Sequence, residues 1–152
     1  MPILTLSCGP LAPLFAAVRG DEVMYVGGTM QQIPDKSEGK LTLESMSGAE
    51  FSCKKGQFTI PYKSLHSLEY GQKAGRRLGV ALVISPIALL SKKRKHFLSV
   101  GFEDAAGTKQ GAVFELAKGR THSVITTLEA RSGKKVEFES EDARKHYEKE
   151  GR

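Results

Sequence analysis

Short runs in which apolar and polar residues alternate, each stopped by glycine, proline or a small polar turn, are the feature that most limits this chain. A period of two puts every second side chain on the same face, which suits a sheet with one buried side and not a helix. Residues 22–26 (EVMYV) read as a first strand that Gly27-Gly28 ends, followed by a polar loop over 31–39 containing Pro34. Lys40-Leu41-Thr42-Leu43-Glu44 alternates cleanly, Phe51 and Cys53 alternate after the Ser47-Gly48 turn, and Lys55-Gly56 marks another turn. Phe58, Ile60 and Tyr62 then share a face. Pro61 donates no backbone hydrogen bond and therefore belongs at a sheet edge or bulge. Leu65, Leu68 and Tyr70 continue as a strand with a kink. Leu98, Val100 and Phe102 face Ala112, Phe114 and Leu116 across the loop 104–107, as an antiparallel pair. Sixteen glycines and six prolines in 152 residues fit such a turn-rich chain, and that length suits one core.

Helical spacing occurs late. Val124, Ile125 and Leu128 form a narrow stripe over 120–131, with Gly133 as the stop. A short strand over 135–138 follows. Ser140 then caps a polar helix running to about Glu150, expected to be frayed and solvated because it has almost no apolar face. The domain reading is a flexible start or degraded export signal over 1–20, a β-rich domain over 21–139 and a polar helical tail over 140–152. The first segment is apolar, but it lacks a basic leader and is broken by Pro10 and Pro13. Leu6-Ser7-Cys8 faintly resembles a lipoprotein cleavage site. A cytoplasmic or membrane-peripheral place is expected, with export as the alternative if the start is a truncated signal.

Charge is distributed unevenly. Residues 71–101 contain no acidic residue and carry Lys73, Arg76, Arg77, Lys92, Lys93, Arg94 and Lys95. Removing those seven from the 23 basic residues leaves 16 against 17 acidic ones, so the formal +6 is one local field. Between the two cationic groups lies LGVALVISPIALL, residues 78–90. As a helix it would span roughly 20 Å, short of the ~30 Å hydrocarbon layer, and Pro86 would break it. It reads either as a buried strand and crossover or as an apolar loop that dips into a membrane interface or a partner's groove. The second reading makes Lys73, Arg76, Arg77, Ile87, Leu89, Leu90, Lys92, Lys93, Arg94 and Lys95 the contact residues.

Sites for chemistry are not signalled. His66, His96, His122 and His146 have no His or Cys at ligand spacing, and the two cysteines, Cys8 and Cys53, form no CxxC. HExxH, GxSxG and phosphate-loop motifs are missing. Arg120-Thr121-His122-Ser123 reads as a helix cap, Glu103-Asp104 as a solvated turn pair, and Glu44 and Glu69 as half-exposed strand residues. The expectation is a non-catalytic module with no catalytic, metal or cofactor residues, no cofactor and no small-molecule substrate. Nucleic acid is a poor fit because the cations flank an apolar run and do not interleave with aromatics.

The run Ile60-Pro61-Tyr62-Lys63-Ser64-Leu65-His66-Ser67-Leu68-Glu69-Tyr70 and the run SKKRKHFLSV at 91–100 resemble strands of bacterial pleckstrin-homology-like domains, as does Tyr25-Val26-Gly27-Gly28-Thr29. The resemblance covers about residues 22–138. It implies a bent antiparallel barrel of about seven strands, capped by a C-terminal α-helix, that serves as a binding scaffold. In relatives the phosphoinositide site uses a basic loop between the first two strands. Here the corresponding loop, 31–39 or the stretch near Ala49, is mixed in charge. The partner implied is therefore an anionic membrane surface in general, or a protein.

Overall fold

The structure, a computed structural model, describes residues 22–73 and 95–152. Strand β1 (Glu22–Gly28) pairs antiparallel with β2 (Ser37–Thr42), β2 with β3 (Gly48–Cys53), and β3 with β4 (Gly56–Pro61). A 3-10 turn, Tyr62–Ser64, leads to β5 (Leu65–Gly71), which pairs with β6 (Phe97–Glu103), and β6 pairs with β7 (Lys109–Leu116). β7 returns to β1 and joins the two meanders. With β8 (Val136–Phe138) these strands make one sheet, in the order β4-β3-β2-β1-β7-β6-β5-β8, curled into a half-barrel.

The alternation works as the sequence suggests. Val23 and Tyr25, Phe58 and Ile60, Leu68 and Tyr70, and Leu98, Val100 and Phe102 all turn into one core and are nearly inaccessible to solvent. At its centre the rings of Tyr25, Phe51, Phe58 and Phe114 meet with centroids 5.3–6.3 Å apart. Each fully buried ring contributes about 1.5–3 kcal/mol of apolar burial. Pro61 ends β4, an edge strand, where its missing N–H costs no ladder bond. The expected kink in β5 is a register shift between Leu65 and Ser67. The β3–β4 turn falls on Lys54 and Lys55, one position before the expected place, because Gly56 already pairs with Cys53.

Helix α1 (Thr121–Ser132) lays Val124, Ile125 and Leu128 on the core and stops at Gly133, whose φ of 72° is the left-handed C-terminal geometry. Helix α2 (Glu141–Glu150) starts at Ser140, whose hydroxyl accepts from the Ala143 N–H at 3.2 Å.

Three expectations need correction. Among the described residues there are eight strands where about seven were expected, and β8 lies parallel to β5 in an otherwise antiparallel sheet. α2 is docked and not frayed, because Ala143 is wholly buried and Tyr147 packs against the core. Glu69 is only 5% exposed instead of half-exposed, whereas Glu44 is open to solvent. β5 is flanked by β6 and by β8, and Glu69 lies between Ser99 and Glu137 in the sheet.

Candidate functional site at the root of the β5–β6 connection

The basic and apolar segment joins β5 to β6. Gly71, the last residue of β5, pairs with Phe97, the first of β6, so the chain leaves and re-enters the sheet at one point. Of the ten contact residues expected, only Lys73 and Lys95 lie among the described residues. Arg76, Arg77, Ile87, Leu89, Leu90, Lys92, Lys93 and Arg94 lie outside them, as does the choice between a buried and an exposed run at 78–90.

Both described lysines are engaged by carboxylates of the domain. The Lys73 N–H donates to Glu139 Oε2 at 2.8 Å, and Lys73 Nζ stands 3.8 Å from Glu139 Oε1. Glu139 is itself fixed, since its N–H donates to the Tyr70 carbonyl at 3.0 Å. Its side chain crosses Gly71 so closely that a Cβ there would stand 2.3 Å from Oε2, which is why glycine occupies that position. Lys95 Nζ lies 2.8 Å from Glu115 Oε1 and 3.0 Å from Oε2. The Lys95 and Glu115 side chains keep 38% and 26% of their exposure, so the pair is worth at most about 1 kcal/mol. The two lysines therefore anchor the ends of the segment to the fold.

Beside this root, the fold collects groups that are far apart in sequence. The His96 and His146 rings stack with centroids 4.2 Å apart, and His96 also stacks on Tyr70 at 5.5 Å. The Tyr70 hydroxyl shares a hydrogen bond of 3.0 Å with His146 Nδ1. Burial and the neighbouring His146 hold the His96 pKa below its usual value, against the opposing pull of Glu139, Glu150 and Asp142. Burial also pushes the Tyr70 hydroxyl up to about 12.

Glu150, at the end of α2, reaches the start of α1. It accepts from the Gly119 N–H at 3.3 Å and from the Thr121 N–H at 3.2 Å. Burial favours its neutral form, but the Thr121 side-chain bond, the Gly119 N–H and the nearby His146 outweigh burial and lower its pKa. A carboxylate at a helix N-terminus is favoured in the same direction by the helix dipole. The cap that the sequence assigns to the residues around Arg120 is thus supplied largely by Glu150: the Arg120 side chain makes no capping bond, and Ser123 Oγ turns back to the Arg120 carbonyl.

Asp104 does act as a turn residue. Its Oδ2 accepts from the Gln110 side chain and its Oδ1 from the Thr108 and Ala106 N–H groups, and these bonds hold its carboxyl below the usual range. Cys53 is a free thiol, half-buried. It borders an open cavity of about 770 Å³ along β1, β2, β3 and the end of β7. Among the described residues no cluster of three His, Cys, Asp or Glu could hold a metal, and no helix is long and apolar enough to cross a membrane. No family model matches the chain, and no curated protein matches it.

Proposed function

We propose that this protein is a non-catalytic, pleckstrin-homology-like binding module that docks on an anionic membrane surface through residues 73–95. The observation that carries the reading is the acid-free stretch with seven cations around a thirteen-residue, almost wholly apolar run, all within one connection between two paired strands. Seven antiparallel strands followed at once by α1 match the succession that the resemblance calls for. Lys73 and Lys95 are spent on internal carboxylates, so the reading assigns the surface to Arg76, Arg77, Lys92, Lys93 and Arg94. At about 1 kcal/mol per cation near an anionic leaflet, these five supply on the order of 5 kcal/mol, before the apolar centre adds its own partition.

Sedimentation with vesicles tests it. Binding should require anionic lipid, weaken as salt rises and fall when the five cations are replaced by Gln. Binding that ignores both lipid charge and salt rejects the proposal. A protein-interaction module is the second reading, favoured by the β4 edge that the sheet leaves at one end. A pull-down lost on Leu89→Asp, with vesicle binding absent in the parent, would select it.

A further inference from the structure

α2 is an unusual helix to find docked. Of its ten residues only Ala143 and Tyr147 bring apolar surface to the core, and the rest are charged or His146. Besides the Glu150 bonds to the start of α1 and the Tyr147 contact with Phe138, its grip on the domain passes through imidazoles. His146 stacks on His96 at 4.2 Å with the planes 24° apart, and Tyr147 stacks on His122 at 4.8 Å, also at 24°. Gly151 lies so close to His122 that a Cβ there would stand 2.4 Å from the ring. His96 Nε2 is buried and finds no hydrogen-bond partner among the described residues, so a proton added there meets neither water nor an acceptor.

We infer that α2 is an acid-released latch, closed by the His96–His146 stack and opened when His96 takes up a proton. Neutral rings stack favourably, whereas a proton on His96 puts a charge face to face with the neighbouring ring and leaves the buried Nε2 without an acceptor among the described residues. The groups around the stack are Tyr70 from β5, Glu139 from the β8–α2 joint, Asp142 and Glu150 from α2, and Thr121 and His122 from α1. The three carboxylates favour the imidazolium and so delay opening. Burial and the face-to-face partner oppose it and prevail at His96.

The direction follows from linkage. An imidazole whose pKa is depressed in the docked state binds fewer protons there than when released. Docking is therefore complete above the ordinary value of 6.5 and weakens as pH falls below it. Glu139 sits one residue before the Ser140 cap and also holds the Lys73 N–H. The latch thus abuts the root of the β5–β6 connection, through a residue whose own backbone is held by β5.

Amide hydrogen exchange on the full chain, expressed as protection corrected for intrinsic rates, tests the latch. Between about pH 7.5 and about pH 5, protection over residues 143–150 should fall roughly tenfold while β5, β6 and β7 keep theirs. In His96→Phe, which retains the stack and cannot titrate, the loss should disappear. If that variant does not fold, His96→Gln, which cannot take up a proton in this range, gives the same readout. Unchanged α2 protection in the parent overturns the inference. So does a simultaneous loss across the sheet, or an identical loss in the His96 variants.

Discussion

Truncating Phe114 to alanine tests the core most directly. Phe114 has no exposed surface. Its ring lies 6.0 Å from Tyr25, 5.6 Å from Phe51 and 6.3 Å from Phe58, and its backbone sits between Tyr25 of β1 and Leu98 of β6. β7 joins the two meanders, so a void there opens where both depend on the same ring. Phe→Ala in a closed core costs about 3–5 kcal/mol, transfer and cavity together. With three ring partners to lose, this site is placed at the middle of that range, about 4 kcal/mol. That is a large share of the roughly 5–15 kcal/mol that holds a domain folded. In urea the midpoint should fall by about 2 M with the slope unchanged, and on heating by roughly 8–16 °C. Met46→Ala, at a residue 82% exposed, should stay within about 0.5 kcal/mol and serves as the control. A Phe114→Ala loss below about 1.5 kcal/mol at unchanged slope would mean that the aromatic cluster is not the keystone of the sheet.

Two further outcomes follow from the packing. In Gly28→Ala the new Cβ would stand 2.2 Å from the Gly111 carbonyl oxygen, and backbone cannot swing aside as a side-chain tip would. A cost of about 1–3 kcal/mol in urea denaturation is expected, and a neutral substitution contradicts the β1–β7 register. Burial raises Tyr25 and Tyr70 to about 12 from 10.0, so the folded state keeps protons that the unfolded state gives up. Stability is then full below pH 10 and lost as pH rises from 10 towards 12. Ultraviolet titration should show part of the tyrosinate absorbance withheld until the upper end of that range. A single step near 10 for all four tyrosines refutes the burial argument.

Where a decision was local, the sequence alone determined it. The period-two runs named the strands, although β2 starts at Ser37 inside the expected loop and ends at Thr42, and the Val124, Ile125 and Leu128 stripe with Gly133 named α1. Ser140 started α2, and Pro61 marked a sheet edge or bulge, of which the structure has the edge. The same reading found the charge asymmetry of residues 71–101, because charge is a property of composition. Pairings across long separations depended on the tertiary structure. β8 lies alongside β5 with no local signal, and the residue that follows it, Glu139, is brought over Gly71. The helix that looked too polar to dock is held by partners on other elements, His96 and His122, which its own sequence does not contain. His96 and His146 stand fifty residues apart and looked inert because neither has a ligand neighbour at helical or strand spacing; only sheet closure sets their rings face to face. The physical reason is that alternation and capping act through neighbours in the chain, whereas burial, stacking and pKa depend on what the fold brings alongside.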